Sequence, residues 1–109
     1  MSEKVLFADF VNTDLVEFKY NIDPWDSLNS SIEMVSHDRT GRFRRFKFKN
    51  VSNLIIENGF TGYLGGMVIV DISCRQWSHA KIEVQNFESG SGICFLAMSL
   101  EISSAAEFR

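Results

Sequence analysis

Apolar and polar residues alternate along much of the chain, and this period of two is typical of β-strands with one buried face. The clearest example is "LVEFKYNI" at residues 15–22. The side chains predicted to face a core are Val16, Phe18, Tyr20 and Ile22, while Glu17, Lys19 and Asn21 face solvent. We therefore expect a half-buried strand here.

Similar segments follow one another with turn residues between them, as in antiparallel all-β domains. The pattern predicts a single antiparallel β-sandwich or flattened barrel of about seven or eight strands. With 109 residues the chain is long enough for one domain, placed at residues 1–103 and followed by a polar, frayed tail at 104–109. The other strand-like segments are residues 5–10, for which a short helix is the alternative, and residues 31–38, 42–49, 51–59, 67–77, 80–88 and 92–102.

Residues 31–49 predict a β-hairpin whose register follows from its turn. Arg39, Thr40 and Gly41 form a three-residue loop, in which Gly41 supplies the left-handed position. Apolar residues then meet apolar ones and an acid meets a base, as cross-strand pairing prefers. The predicted pairs are Ile32 with Phe48, Met34 with Phe46, Glu33 with Lys47 and Val35 with Arg45.

A second hairpin is predicted around "SGSG", with Ser89, Gly90 and Ser91 as its loop. This loop pairs Val84 with Leu96 and Ile82 with Met98. The opposite face carries Phe87, Ile93 and Phe95, which form either the second layer of a sandwich, the favoured reading, or an exposed patch suited to a homodimer. Together with the glycine-rich loop "GFTGYLGG", this gives a candidate protein-interaction surface of Phe60, Tyr63, Phe87, Ile93 and Phe95.

The segment "DPWDSL" at residues 23–28 interrupts the alternation and predicts a short helical turn near residues 24–28. Asp23 suits the capping position and Pro24 the first helical position. We expect Trp25 and Leu28 to fold onto the core. The alternative is that Trp25 is an exposed anchor for a partner.

The segment "GRFRRFKFKN" at residues 41–50 interleaves basic and aromatic residues, as single-stranded nucleic-acid sites do. Its candidate polyanion-binding residues are Phe43, Arg45, Lys47 and Lys49. Alternation, however, turns Phe46 and Phe48 inward, and the chain carries a net charge of −3, whereas nucleic-acid modules are usually basic. A solvated strand face is therefore favoured, and nucleic acid is disfavoured as a partner.

No catalytic motif is found: the chain has no GxSxG segment and no Walker loop. Neither His37 nor His79 has metal-ligand spacing, and Cys74 and Cys94 are expected to be buried small hydrophobes. Asp71 lies opposite its apolar neighbours on its strand, facing solvent or, if that face is covered, needing a buried partner. We expect a non-enzymatic cytoplasmic protein with no cofactor, no metal and no membrane segment.

The order of apolar segments resembles that of small bacterial all-β proteins, including domains of unknown function and immunity proteins encoded beside polymorphic toxins. The similarity spans about residues 23–102 and is carried by "PWDSLNSSIEM", "FKFKNVSNLII", "VIVDIS", "KIEVQNFE" and "FLAMSLEI". It implies a protein-binding module, such as a toxin-neutralising immunity protein, and carries over no functional residue. Two alternatives remain open: a nucleic-acid-binding domain using the basic strand, and a small-molecule or carbohydrate-binding sandwich using Trp25, Tyr63 and Trp77.

Overall fold

The computed structural model describes residues 3–26, 29–87 and 92–105, and it is all-β. These residues form nine strands and one short 3₁₀ helix at Ser73–Arg75. The strands are β1 (Lys4–Phe7), β2 (Thr13–Ile22), β3 (Ser30–Asp38), β4 (Phe43–Lys49), β5 (Ser52–Ile56), β6 (Met67–Asp71), β7 (Ile82–Asn86), β8 (Ile93–Ala97) and β9 (Ser99–Ala105). In the described part of the chain, no helix has the length and apolar character needed to cross a membrane.

The strands form two antiparallel sheets that pack as a sandwich, which confirms the predicted fold. A five-stranded sheet has the order β1-β6-β7-β8-β5, and a four-stranded sheet has the order β2-β3-β4-β9. The chain passes between the sheets through short links, such as Met98 between β8 and β9. Each sheet can therefore cover the apolar face of the other.

The core lies between the two sheets and is dominated by phenylalanine. The Phe48 ring on β4 meets the Phe95 ring on β8 edge-on, with centroids 4.7 Å apart and an interplanar angle of 90°. Phe7, Phe10 and Phe46 form a second aromatic group, with centroid distances of 4.9 to 5.5 Å. Such edge-on pairs add to the stabilisation that comes from burying apolar area.

The predicted β3–β4 hairpin is confirmed in register. Ile32 pairs with Phe48 and Met34 with Phe46, while Glu33 lies opposite Lys47 on the outer face. In the turn, the hydroxyl and N–H of Thr40 and the N–H of Arg42 donate to Asp38 Oδ1. These bonds, chiefly the one from the Thr40 hydroxyl, lower the pKa of Asp38.

The predicted β7–β8 register is wrong by one residue. Val84 pairs with Phe95 and Ile82 with Ala97, so that Glu83 lies opposite Leu96 on the outer face. A shift of one residue exchanges the two faces of a strand. The observed register buries Phe95 with Val84, whereas the predicted one would have placed Phe95 on the face of Glu83. The predicted loop residues 89–91 lie outside the described residues.

The strands predicted at residues 67–77 and 92–102 are both interrupted within the predicted range. The strand from residue 67 stops at Asp71, because Asp71 accepts hydrogen bonds from the N–H and hydroxyl of Ser73 at 2.8 and 2.6 Å and begins a turn. The strand predicted at residues 92–102 is two strands in different sheets, divided at Met98. β9 then continues to Ala105, so residues 104 and 105 of the predicted tail lie in the sheet.

The buried face predicted for β2 is only partly correct. A bulge between Leu15 and Glu17 shifts the alternation, so Leu15 and Phe18 pack on the core and Val16 is exposed. The other two residues predicted to be buried, Tyr20 and Ile22, are also exposed, since β2 is an edge strand.

The hydroxyl oxygens of Ser30 and Ser52, two serines close together, have contrasting environments. The Ser30 hydroxyl donates to the carbonyl of Val51 and accepts from its N–H, both at 2.9 Å, and so joins the start of β3 to the residue before β5. The Ser52 hydroxyl oxygen is buried without a hydrogen-bond partner among the residues described. Burying a polar group without a partner costs free energy.

We predict that Phe46→Ala lowers the free energy of unfolding by about 3–5 kcal/mol, because it removes a ring that packs between the sheets. Phe87→Ala is the matched control, since Phe87 is 79% exposed and should change stability by less than about 0.5 kcal/mol. Urea unfolding measures both variants. Equal losses in the two variants would contradict the core described above.

We also predict opposite effects for the two serines. Ser30→Ala should lower the free energy of unfolding by about 1–3 kcal/mol, because it leaves the N–H and carbonyl of Val51 unpaired. Ser52→Ala should leave stability unchanged or raise it by up to about 1 kcal/mol, because it removes an unpaired buried hydroxyl. Thermal and urea unfolding provide the comparison, and a larger loss for Ser52→Ala than for Ser30→Ala would refute it.

Candidate functional site at the tryptophan end

One end of the sandwich carries both tryptophans and is called here the tryptophan end. The β2–β3 loop presents Trp25, and the β6–β7 connection presents Trp77. Both connections lie at the end of the sandwich where the chain crosses from β8 to β9. Ile82, after the β6–β7 connection, pairs with Ala97, and Ser31, after the β2–β3 loop, pairs with Lys49. The N–H of Met98, which follows Ala97, donates to the carbonyl of Lys49 at 2.9 Å. The fold thus gathers two large aromatic side chains on one end.

The Trp25 loop, residues 23–29 as far as they are described, is braced by polar contacts. The Trp25 N–H donates to Asp23 Oδ1 at 2.8 Å, and the Asn29 side-chain amide donates to Asp23 Oδ2 at 3.3 Å. The Asn29 N–H donates to the carbonyl of Asp26 at 2.9 Å. These bonds hold the loop backbone while the Trp25 side chain remains 94% exposed.

The prediction for this segment is therefore wrong in two respects. Residues 24–26 contain no helix, and Trp25 points away from the core rather than into it. Residues 27 and 28, which include the predicted core residue Leu28, lie outside the described residues. The physical reason is that the Asp23 carboxylate accepts the N–H two residues on, which makes an Asx-type turn in place of a helix start.

A concave surface of about 580 Å³ adjoins the Trp25 loop. Ile22 and Pro24 contribute apolar area to it, and Lys47 and Lys49 approach from β4. Ile22 is itself an exposed apolar side chain at the end of β2. The surface is therefore mixed, with apolar side chains on the loop and at the end of β2 and with two cations, the Asp23 carboxylate and uncharged polar residues around them.

The second loop folds over the outer face of the five-stranded sheet. Trp77 and His79 lie with their rings nearly parallel, at 10° and a centroid distance of 5.3 Å, and the Arg75 guanidinium lies 5.0 Å from the Trp77 ring. Arg75 also pairs with Glu3 at 2.7 Å and Glu83 at 3.1 Å. The connection is held by a small second apolar cluster of Val68, Val70, Ile72, Ala80 and Leu96.

This arrangement leaves a groove of about 310 Å³ between the connection and β5, called here the Trp77 groove. Its volume is at the lower end of the range of about 300–1,000 Å³ typical of small-molecule sites. Burial raises the pKa of the Cys94 thiol, so the thiol is neutral near pH 7 and unsuited to nucleophilic attack. The groove is lined by Asn53, Ile55, Trp77, His79, Glu83 and Cys94, among others.

The predicted interaction surface does not form as one patch. Ile93 and Phe95 are buried in the core, because the observed β7–β8 register turns them inward, and Phe60 packs partly against the core. Ile93 and Phe95 therefore lie in the layer between the two sheets, as the favoured interpretation predicted, and not in an exposed patch. Tyr63 and Phe87 are exposed, but they lie near the end opposite to the tryptophans.

The predicted basic strip lies on the outer face of the four-stranded sheet, among acidic residues. Phe43 stacks on His37 at 4.5 Å, and Arg45 lies 3.9 Å from Glu17. Lys47 belongs to a row of four side chains that crosses the whole sheet with alternating charge. The row consists of Lys19, Glu33, Lys47 and Glu101.

The remaining candidate residues do not converge on a reactive site. Asp71 faces solvent, and the Ser73 hydroxyl is the main cause of its lowered pKa. Cys74 and Cys94 are partly exposed rather than fully buried, which corrects the expectation for both. Within the described ranges, no three His, Cys, Asp or Glu side chains are grouped as metal ligands. Of the aromatic residues proposed for a sugar site, Trp25 and Trp77 share an end and Tyr63 does not.

Comparison of the chain with protein-family models, with curated proteins and with solved structures gives no match. The geometry of the tryptophan end is therefore the basis on which a function is inferred.

Sequence reasoning named Trp25 and Trp77 but missed the groove beside Trp77. Asn53 and Glu83 line that groove, although they lie 30 positions apart on different strands. They approach each other because β5 and β7 flank β8 in the same sheet, and the β6–β7 connection folds over this part of the sheet. The local pattern "WSHA" was the one signal, since it places two rings two residues apart.

We predict that the Trp25 backbone amide reports the ionisation of Asp23. The bond from the Trp25 N–H is the main cause that lowers the pKa of Asp23. The brace is therefore complete above the ordinary aspartate pKa of about 3.9 and is lost as the pH falls through the lower folded value. In an NMR titration, the Trp25 amide resonance should shift below pH about 3.9.

Asp23→Asn is the control for this titration, because it removes the ionisable group and keeps one oxygen acceptor. The Trp25 amide of that variant should show no such acid transition. A transition of the same size and midpoint in Asp23→Asn would show that Asp23 does not brace the loop.

Proposed function

We propose that the protein is a non-enzymatic protein-binding module that engages its partner with the Trp25 loop. The observation that carries the proposal is a tryptophan that is 94% exposed on a loop whose backbone is held by hydrogen bonds to Asp23. Tryptophan is enriched among the residues that dominate protein–protein binding energy. Burying this exposed indole against a partner would therefore contribute to the binding free energy.

The bracing of the loop favours binding because it reduces the entropy lost on association. Ordering a flexible loop would subtract from the binding free energy. Here Asp23 contacts both Trp25 and Asn29, so the backbone is arranged before the partner arrives. Burying the indole then contributes to the binding free energy, and little further ordering of the backbone opposes it.

The neighbours of Trp25 indicate what the partner surface should look like. Ile22 extends the apolar area, and Lys47 and Lys49 border it with positive charge. The complementary surface is a pocket for an indole, with carboxylates placed beside it. The toxin-neutralising form of this function, from the resemblance of the sequence to bacterial immunity proteins, stays a prediction.

Nucleic acid is the weaker candidate partner for the outer face of the four-stranded sheet. The alternating row through Lys19, Glu33 and Lys47 places carboxylates beside the cations that would meet phosphates. Phosphate contacts depend on accumulated positive charge. The outer face of the four-stranded sheet is better described as a solvated charge network.

We predict that Trp25→Ala weakens binding of a captured partner by at least about 30-fold, since a tryptophan hot spot contributes about 2 kcal/mol or more. Partners are captured from lysate on immobilised protein, identified by mass spectrometry, and measured with purified components. Phe87→Ala is the matched control, because it removes another exposed aromatic ring from the opposite end. It should leave the affinity unchanged.

The charge at the border is tested separately with Lys49→Glu. This variant should weaken binding and reduce the dependence of affinity on salt, because it opposes the carboxylates expected on the partner. The proposal is wrong if no protein is enriched on the wild type, or if the partner binds Trp25→Ala as tightly as wild type.

A further inference from the structure

We infer that two copies of the chain pair through their β5 edges, antiparallel across a two-fold axis, to form a continuous ten-stranded sheet. This inference concerns a surface separate from the Trp25 loop and goes beyond the proposed partner binding. It depends on the contrast between β5 and the other exposed strand edges of the sandwich.

The first observation is that β5 is an open edge with an apolar surface. β5 is the last strand in the order β1-β6-β7-β8-β5, and among the described residues no strand pairs with its other side. Ile55 is 58% exposed and Ile56 is 49% exposed. Exposed edges can pair with another strand unless they are protected, and the bulge between Ser52 and Ile55 leaves Ile55 and Ile56 as the regularly paired part of this edge.

The second observation is the absence of charge on this strand. β5 reads Ser52-Asn53-Leu54-Ile55-Ile56 and contains no ionisable side chain and no proline. The other edge strands each carry charge, with Lys4 on β1, Glu17 and Lys19 on β2, and Glu101 on β9. Charged residues on edges are a common protection against unwanted pairing.

The absence of charge also indicates which partner can pair with the β5 edge. In a two-fold symmetric pair only the residues nearest the axis lie opposite or close to their own copies, so a charge near the axis meets its like charge. Like charges directly opposite each other destabilise antiparallel pairing. Because β5 carries no charge, a second copy can join it in any register without this repulsion, whereas on β1, β2 and β9 the registers that place a charge at the axis are disfavoured. A second copy is therefore a partner that suits β5.

The geometry of such a pair brings the two Trp77 grooves onto one face. The two-fold axis of an antiparallel strand pair is perpendicular to the sheet, so both copies present the same face of the sheet to the same side. Ile55 lines the Trp77 groove and lies on that face. The two Ile55 side chains then meet between the grooves and cover apolar area that is exposed in one copy.

The decisive experiment is the oligomeric state of the full chain, measured by sedimentation and by light scattering over increasing concentration. The wild type should show a reversible rise towards twice its monomer mass. Ile55→Lys should remain monomeric, because it places two like charges beside the axis. Ile102→Lys is the matched control: Ile102 is 42% exposed on the β9 edge, and the variant should dimerise as wild type does.

A cross-linking experiment checks the register and does not depend on dimer strength. In a background with Cys74→Ser and Cys94→Ala, Ile55→Cys should form a disulfide-linked dimer under mild oxidation, and Ile102→Cys should not. Thermal unfolding confirms that each variant is folded. A wild type that stays monomeric up to about 1 mM, where even very weak pairs associate, would overturn the inference. Dimerisation that survives Ile55→Lys but not Ile102→Lys would overturn it as well.

Discussion

The contact on which the rest of the structure depends is the packing of the inward face of β4 against the five-stranded sheet. Phe48 meets Phe95 edge-on across the sandwich, and Phe46 joins Phe7 and Phe10. Because side chains on a strand alternate between two faces, burying these phenylalanines turns the intervening basic residues to the outer face. There Lys47 lies in register with Glu33 and Glu101. Arg45 lies 3.9 Å from Glu17. Core packing thus removes Phe46 and Phe48 from the basic face, and it leaves Lys47 and Arg45 beside carboxylates.

The parts of the fold that the sequence predicted well are those fixed by local signals. The β3–β4 hairpin has a turn with clear chemistry at Asp38 and Gly41, and both of its strands have strong patterns, so its register could be predicted. The β7–β8 hairpin has small, permissive residues in its loop, so a wrong choice of loop length moved the register by one residue. The division of the chain at Met98 leaves no break in the apolar pattern, because the strands on both sides of it are partly buried.

The candidate site was harder to predict because it consists of large side chains that remain outside the core. Trp25 is a large apolar residue, and its type alone favours burial. Its exposure results from Asp23, which captures the backbone in a turn, and from a core already filled by phenylalanines of both sheets. The Trp77 groove depends on the folding of the β6–β7 connection over the sheet, a contact between residues distant in sequence. Residue propensity and hydrophobic periodicity are properties of single segments, so they predict neither the exposure of Trp25 nor the Trp77 groove.

The two proposed surfaces reinforce each other if both are correct. Pairing through β5 would give one assembly two Trp25 loops, so a partner with two copies of the matching pocket would be held by both at once. The second contact is then governed by an effective concentration rather than by free diffusion, and overall affinity can rise without any new contact. The Trp25 loop is suited to this use because its brace depends on Asp23 and Asn29 of the same loop. Its conformation does not require the β5 edge, so each surface can be disabled by mutation while the other remains intact.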